Sequence, residues 1–174
     1  MLKNIYGKVL VRGIQMNIKD KELHRVTTTC LVYQPDFTYL ITKRAMHKPV
    51  MPGKWTIPGG GLSTDDYTHL PVSTHGANQW YGALQLSLRR EIREEVSLEI
   101  GVPEFFIDLT FIRPDGIPVI NFCYFASYVS GEVQLDEDGT DHAWVTVEQA
   151  KEYDLIDGIW NEIQEIDHIL RSRK

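Results

Sequence analysis

The feature of the sequence that most restricts its fold is a helical segment from about Asn78 to Leu98, set between segments with strand patterns. Apolar residues recur at every fourth position within it, at Leu84, Leu88, Ile92 and Val96. This spacing places them on one face of a helix. Because a helix with one apolar face has to cover another surface, the segment predicts a helix that packs on a sheet.

The segments around this helix predict a sheet and two further helices. Mixtures of β-branched and apolar residues, which are typical of strands, occur at 8–18, 25–34, 37–43, 55–57, 105–113, 117–130 and 143–147. A short helix is predicted near residues 148–153 and an amphipathic one at about 157–171. Residues 62–77 and 131–142 are polar and predict loops. Since no Ser/Gly-rich linker divides the chain, we expect one α/β domain over residues 1–174.

Composition and charge exclude several classes of protein. The net charge of −6 and the lack of a basic stripe disfavour binding to duplex nucleic acid, which depends on neutralising phosphates. No apolar run approaches the length of a membrane span, and the first residues lack a signal-peptide core, so we expect a cytoplasmic protein. A small phosphorylated ligand stays compatible with the charge. Cys30 and Cys123 lie in apolar runs and are expected to be buried free thiols.

Three glutamates lie close together on the predicted helix. Glu91 and Glu95 are separated by about 40° around the axis, and Glu94 lies about 60° to the other side of Glu91. Carboxylates this close repel one another, and the cost rises when they are partly buried. A hard divalent cation such as Mg²⁺ or Mn²⁺ would remove that cost. The alternative is a solvated face neutralised by the neighbouring arginines, and this segment alone leaves both interpretations open.

The sequence before the helix gives these glutamates a context. Arg44 follows a predicted strand, residues 53–60 read Gly-Lys-Trp-Thr-Ile-Pro-Gly-Gly, and residues 90–95 read Arg-Glu-Ile-Arg-Glu-Glu. In this order the motifs resemble the Nudix hydrolase family, whose box reads G-x5-E-x7-R-E-U-x-E-E-x-G-U, where U is a bulky aliphatic residue. The resemblance covers roughly residues 25–100. It implies a Nudix-type α/β/α sandwich with a mixed β-sheet, and metal-dependent hydrolysis of a phosphoanhydride bond.

Two residues depart from the box when Gly76 is aligned with its first glycine. Gly82 then stands in the place of the upstream glutamate, a carboxylate that supports the site in the family. Its absence would weaken one metal position. Ser97 stands where the box has its last glycine, which helps the chain to leave the helix, and serine can do so at some conformational cost.

The spacing between the two motifs leaves the identity of the box glycine open. In the family the Pro-Gly-Gly run leads directly into the box, whereas here a polar segment separates Gly60 from Gly76. We favour Gly60, because it ends a strand where a backbone carbonyl can face a metal ion. Residues 62–77 would then be an inserted loop at the rim of the site, on which Asp65 or Asp66 could replace the missing carboxylate.

The resemblance implies a metal site formed by Glu91, Glu94, Glu95 and the backbone of Gly60, with Mg²⁺ or Mn²⁺ as the cofactor. Glu94 and Glu95 would bind the metal, with Glu91 as a third ligand or an orienting partner. Arg90 would orient the carboxylates through an ion pair. These three glutamates and Arg90 are therefore the candidate catalytic residues.

The resemblance also implies contacts to the substrate. Arg44, Gly59 and Gly60 are the candidate phosphate-binding residues, although Arg44 could equally make a structural pair. Asp141, in the late acidic loop, is the candidate general base, and its alternative is an ordinary solvated acid. Residues of the strands after the helix are candidates to line a pocket for the base or the sugar, and strand alternation turns only some of them inward. These candidates are Phe111, Arg113, Asn121 and Tyr124.

The substrate itself does not follow from the sequence. We favour a nucleoside triphosphate, unmodified or modified, over ADP-ribose or a nucleotide sugar. A catalytically silent nucleotide-binding module is an alternative, and a protein whose acidic helix is only a charged face is another. The resemblance is compatible with monomers and with a homodimer in which residues 4–18 add to a partner's sheet.

Overall fold

The fold is organised around a mixed β-sheet that carries helices on both faces. The computed structural model describes residues 10–11, 14–15, 20–74 and 77–173. Its strands are β1 (Leu10–Val11), β2 (Ile14–Gln15), β3 (Arg25–Tyr33), β4 (Tyr39–Arg44), β5 (Trp55–Thr56), β6 (Gly59–Gly61), β7 (Glu99–Ile100), β8 (Glu104–Ile112), β9 (Pro118–Ser130) and β10 (Gly139–Val145). Its helices are α1 (Ala83–Val96), α2 (Val147–Ala150) and α3 (Ile159–Ser172), with 3₁₀ helices η1 (Asp20–Glu22) and η2 (Thr64–Asp66).

The main sheet contains both parallel and antiparallel pairs. Among the described residues it has eight strands, in the order β10–β4–β3–β9–β7, with β5 on β4, β6 on β3 and β8 on β9. Strands β3 and β9 are parallel, and the other pairs in the sheet are antiparallel. The predicted mixed sheet is therefore confirmed.

Alternate residues of the central strands face two separate cores. On one face, the apolar stripe of α1 packs on Cys30 and Leu40. On the other face, Ile163 and Ile166 of α3 pack in a cluster with Leu31. The predicted sandwich, with helices on both faces of the sheet, is confirmed. None of the helices in the described ranges is long and apolar enough to cross a membrane.

Helix α1 begins later than the sequence predicts. It starts at Ala83 rather than near Asn78, because Gly82 before it adopts a left-handed conformation with φ of 77°. A left-handed residue cannot continue a right-handed helix. Residues 77–82 therefore form irregular backbone at the end of the long loop.

Several strand boundaries also differ from the predicted ones. The sequence predicts that a strand stops at the glycine run, but Gly59–Gly61 is itself strand β6 and pairs with β3. The acidic loop is shorter than predicted, because residues 139–142 pair with β4 as part of β10. Of the strand predicted at residues 8–18, only 10–11 and 14–15 are described, and the rest lies outside the described residues.

Both cysteines are free and buried, as predicted. Burial raises the pKa of the Cys30 thiol far above its usual value and raises the pKa of Cys123 to about 12. Both thiols are therefore protonated at neutral pH. Both side chains fill space in the core, and Cys123 also accepts a hydrogen bond from Asn121 Nδ2.

Ser97 ends α1 in a left-handed conformation, with φ of 57° and ψ of 32°. Because a Cβ has a steric cost in that region, we expect Ser97→Gly to raise the free energy of unfolding by about 0.5–1 kcal/mol in urea titrations. Ser130→Gly, at the exposed end of β9, is the matched control and is expected to lower it. A loss of stability in Ser97→Gly would contradict this explanation.

Candidate active site

A cleft of about 870 Å³ opens where β6 meets α1. Its volume is typical of small-molecule sites, which are roughly 300–1,000 Å³. One part of the lining is charged and includes the α1 glutamates, Arg44 and Lys48. The other part is formed by β3, β8, β9 and the start of α3, and mixes polar with apolar side chains. The cleft therefore has one region suited to a charged group and another suited to a flatter, less polar group.

The three glutamates of α1 differ in their surroundings. The Glu91 side chain is 14% exposed and Glu95 is partly buried, whereas the Glu94 side chain is 57% exposed. The backbone N–H of Gly59 donates to Glu95 Oε2 at 2.8 Å. Burial raises the pKa of Glu95 to about 7 and also raises the pKa of Glu91. A nearby cation would reduce the free-energy cost of ionising these partly buried carboxylates.

Arg90 connects these carboxylates. Its Nη1 donates to Glu94 Oε2 at 2.7 Å, and its Nη2 lies 2.9 Å from Glu91 Oε1. Its Nε and Nη2 donate to the two carboxylate oxygens of Asp66 at 2.5 and 3.2 Å, so that pair is bidentate. Arg90 therefore contacts three carboxylates, and its orienting role stays a prediction.

Asp66 is the better placed of the two candidates for the missing carboxylate. Its side chain is 2% exposed, whereas Asp65 is exposed, and its Oδ2 accepts the backbone N–H of Ser63 at 2.7 Å. The Arg90 guanidinium holds the pKa of Asp66 below its usual value. Asp66 also follows Gly60 with the G-x5 spacing that the box gives to its glutamate. The spacing between Gly60 and Asp66 is therefore the sequence signal that distinguishes Asp66 from Asp65.

Gly82 is therefore not the position of the box carboxylate. It precedes α1 with φ of 77°, and a Cβ placed on it would have open space around it. The alignment that put Gly82 there starts from Gly76, which lies outside the described residues. When the box is read from the β6 glycines, the added residues fall between Asp66 and α1. The inserted loop then comprises residues 67–82 rather than 62–77.

The described residues of the inserted loop pack against one another. The rings of Tyr67 and Trp80 pack with centroids 5.3 Å apart, and Trp80 Nε1 donates to the carbonyl of Leu70 at 3.0 Å. The backbone N–H of Ser73 donates to the carbonyl of Gln79 at 2.8 Å. No described residue of this loop lines the cleft, so the expected position at its rim is not seen.

Two glycines of β6 allow close backbone approach. A Cβ on Gly60 would lie 2.2 Å from Glu91 Oε2. Gly59 has φ of +147°, and its Cβ would lie 2.2 Å from the carbonyl oxygen of Thr28. Glycine therefore lets β6 lie against both the sheet and the Glu91 carboxylate.

Arg44 and Lys48 are among the cationic side chains that line the cleft. Arg44 Nε donates to the carbonyl of Val50 at 3.0 Å, and burial lowers the pKa of Arg44 while the nearby charge of Glu95 raises it. Lys48 forms an ion pair with Asp138. Arg44 thus has a structural bond as well as a place in the cleft, and both of its predicted roles stay open.

Asp141 lies outside the cleft, contrary to its expected role. It is exposed on β10, where its Oδ1 accepts the backbone N–H of His142 at 2.8 Å. Asp136 and Asp138, from the same acidic region, do line the cleft. The negative charge of Asp136 also raises the pKa of Glu95. Asp141 lies outside the cleft because β10 begins early, at Gly139, and carries Asp141 into the sheet and away from the loop.

The candidate pocket residues of the late strands lie on different faces of the sheet. Phe111, Arg113 and Asn121 line the cleft. Tyr124 does not, because it packs in the core under α1 on the opposite face of β9. The predicted set of pocket residues is therefore reduced to three.

The donor set suits a hard divalent cation that arrives with a ligand. Among the residues that the structure describes, no group of three or more His, Cys, Asp or Glu side chains is gathered closely enough to hold a metal ion. Arg90 and the Gly59 N–H hold the glutamates in their separate orientations. Mg²⁺ usually takes one or two carboxylates together with waters and phosphate oxygens. The glutamates supply oxygen donors of the type that Mg²⁺ takes, and the described residues do not gather them into a closed set of ligands.

The sandwich and its glutamate-bearing helix define a Nudix fold, which solved structures share. The NUDIX domain of Shewanella oneidensis NrtR, complexed with ADP ribose, has a TM-score of 0.65 and 15% identity, covering 88% of this chain and 94% of that chain. The MutT NUDIX hydrolase from Burkholderia pseudomallei has a TM-score of 0.64 and 19% identity, covering 82% and 97%. At these identities, the likeness concerns the fold alone.

Similarity to curated sequences assigns the chain to a family as well as to a fold. Nucleoside triphosphatase NudI from Klebsiella pneumoniae (strain 342) is 32% identical over 139 residues, which are 74% of this chain and 87% of that protein. The Escherichia coli (strain K12 / DH10B) protein of the same name is 30% identical over the same shares. No protein-family model matches the chain. The chain belongs to the Nudix hydrolase family.

Proposed function

We propose that this Nudix hydrolase cleaves a phosphoanhydride bond of a nucleoside triphosphate with the help of bound Mg²⁺ or Mn²⁺. The observation that carries the proposal is the placement of Glu91, Glu94 and Glu95 in one cleft with Arg90 and the β6 glycines. The name nucleoside triphosphatase, given to relatives at 30–32% identity, supports this substrate class. ADP-ribose, which one structural neighbour binds, is the runner-up. The cytoplasmic location and the oligomeric state stay predictions.

The residues of the charged region have complementary roles in this proposal. Glu91, Glu94 and Glu95 supply oxygen ligands beside the backbone of Gly60. When bound, the cation neutralises phosphate charge and lowers the pKa of a water molecule. Arg90 keeps the carboxylates oriented, so that little reorganisation is needed during the reaction.

The remaining groups act on the phosphates and on the proton. Arg44 and the β6 backbone face the place where phosphate oxygens would lie. Asp136 replaces Asp141 as the candidate general base, because it lines the cleft and its charge is felt by Glu95. A carboxylate in this position can take a proton from the attacking water.

The direct test is phosphate and pyrophosphate release from a panel of nucleoside triphosphates, ADP-ribose and NADH. We expect turnover of nucleoside triphosphates with millimolar Mg²⁺ or Mn²⁺ and none with chelator. Turnover of ADP-ribose alone would replace the substrate class and keep the reaction. Absence of turnover across the panel, in folded protein, would favour a silent nucleotide-binding module.

Metal binding can be measured apart from catalysis. A ligand present at about 100 times its Kd stabilises a protein by about 2.7 kcal/mol. We therefore expect Mn²⁺ with a nucleotide product to raise the thermal unfolding midpoint, and Glu94→Gln to reduce that shift. An unchanged midpoint would favour the alternative in which the acidic helix is only a charged face.

Gly60→Ala tests the close contact between β6 and Glu91. The added methyl would lie 2.2 Å from Glu91 Oε2 and would push the carboxylate aside. We expect kcat to fall by about 10- to 100-fold, since small displacements in such sites are costly. Gly61→Ala is the control, because its Cβ meets the end of the flexible Arg25 side chain. Equal losses of kcat in the two variants would count against a specific role of the Gly60 contact.

A further inference from the structure

The part of the cleft formed by β3, β8, β9 and the start of α3 contains a polar cluster on the α3 face of the sheet. The parallel register of β3 and β9 pairs Thr27 with Asn121 and Thr29 with Cys123. These four side chains therefore share one face. Glu162, from the first turn of α3, is hydrogen-bonded to the Cys123 thiol and lines the cleft together with Thr27, Thr29 and Asn121.

Asn121 is fully engaged within the protein. It is 7% exposed, and its Oδ1 accepts the hydroxyl of Thr27 at 2.8 Å. Its Nδ2 donates to Thr29 Oγ1 at 3.0 Å and to Cys123 Sγ at 3.1 Å. Both ends of the amide therefore have partners, and its role is to fix the cluster.

Glu162 has unused acceptor capacity. Its one hydrogen bond among the described residues is the one to the Cys123 thiol, and no cationic side chain there forms an ion pair with it. The charge that acts on it comes from Glu165 and is repulsive. Burial raises the pKa of Glu162. An acidic group without a cationic partner in a cleft wall is a candidate for ligand recognition.

Several of the side chains beside this cluster are apolar. The pairing of β8 with β9 puts Leu109 opposite Asn121 and Phe111 opposite Val119, on the same face. Ile159, one turn before Glu162, also lines the cleft. A flat ring with polar atoms along one edge fits such a surface, because its faces meet apolar groups and its edge meets the carboxylate.

We propose that Glu162 reads the base of the nucleotide by accepting hydrogen bonds from two adjacent N–H donors on its edge, which selects a guanine-type base. This inference rests on the proposed function for its substrate class. Guanine offers a ring N1–H beside its 2-amino group, so both carboxylate oxygens gain a donor. Adenine and cytosine offer an amino group beside a ring acceptor, which faces the carboxylate unfavourably. Uracil and thymine offer one ring N–H between two carbonyl acceptors.

The first test compares GTP with ITP, which differ only in the 2-amino group. We expect wild-type kcat/KM to favour GTP by about tenfold or more, because a site built for a donor rejects an analogue that lacks it. Glu162→Gln presents one amide N–H in place of an acceptor and should reduce the ratio to less than about threefold. Glu152→Gln, at an exposed glutamate that does not line the cleft, is the control and should keep the wild-type ratio.

Two outcomes would overturn the proposal. One is a wild-type preference for GTP over ITP that Glu162→Gln leaves unchanged, or no wild-type preference at all. The other is a change confined to the ratio of GTP to dGTP, which would assign Glu162 to the sugar rather than to the base.

A binding measurement separates this proposal from the proposed reaction. The Kd values of GMP and IMP can be measured by calorimetry in wild type and in Glu162→Gln, without any turnover. A GMP preference that Glu162→Gln abolishes would support base reading even if no triphosphate is hydrolysed. Hydrolysis that is equally fast for GTP and ITP, with equal Kd values for GMP and IMP, would keep the reaction and reject the role of Glu162.

Discussion

Glu95→Gln is expected to lower kcat for metal-dependent hydrolysis by about a thousandfold, equivalent to about 4 kcal/mol in the barrier. Glu95 is the partly buried carboxylate of the three that accepts the Gly59 N–H, so it is tied to the strand that borders the cleft. Glutamine keeps the size of the side chain and an oxygen that can accept that hydrogen bond. It removes the negative charge that a cation would need, in surroundings where water replaces it poorly.

The stability of this variant distinguishes a functional from a structural loss. Burial raises the pKa of Glu95 despite the nearby Arg44 charge and the Gly59 N–H, so the ionised carboxylate is unfavourable there without a metal ion. Glu95→Gln should therefore be at least as stable as wild type in urea titrations without metal. Glu99→Gln is the control, because Glu99 is exposed and pairs with Arg93 outside the cleft. Its kcat should stay within about twofold of wild type. A folded Glu95→Gln variant with wild-type kcat would remove Glu95 from the site.

The parts of the site that lie close together in sequence could be predicted from the sequence. Helical periodicity places Glu91, Glu94 and Glu95 on one side of α1, because their spacing alone determines their angular separation. The same periodicity correctly predicts the burial of Leu88, Ile92 and Val96, whereas Leu84 is only partly buried and Ser87 is buried without having been predicted. Local rules of this kind need no knowledge of which strands become neighbours.

The parts that depend on chain pairing could not be predicted in the same way. Composition makes Asp141 a candidate base, but β10 begins at Gly139 and carries Asp141 into the sheet, because strand pairing and not composition decides where that loop ends. Glu162 meets Cys123 only because α3 covers that face of β9. A single sequence does not indicate which helix covers which strand, so the part of the cleft between β9 and α3 could not be predicted.

Asp66→Ala is expected to lower the free energy of unfolding by about 2–3 kcal/mol. The substitution removes both hydrogen bonds to Arg90 and the acceptor of the Ser63 N–H. Removing one partner of a fully buried ion pair costs about 3–5 kcal/mol. The Arg90 side chain is 33% exposed and keeps its contacts to Glu91 and Glu94, so the expected loss is smaller.

The pH dependence and an adjacent control make this prediction specific. Because Arg90 holds the pKa of Asp66 below its usual value of 3.8, the stabilisation is fully present above about pH 4 and decreases as pH falls through the folded-state pKa. The stability gap between wild type and Asp66→Ala should shrink accordingly in acid. Asp65→Ala, at the exposed neighbouring position, should change stability by less than about 0.5 kcal/mol. Equal effects at the two positions would mean that the bidentate contact to Arg90 does not stabilise the box. A loss confined to Asp66→Ala would identify this aspartate as the carboxylate that supports the catalytic helix.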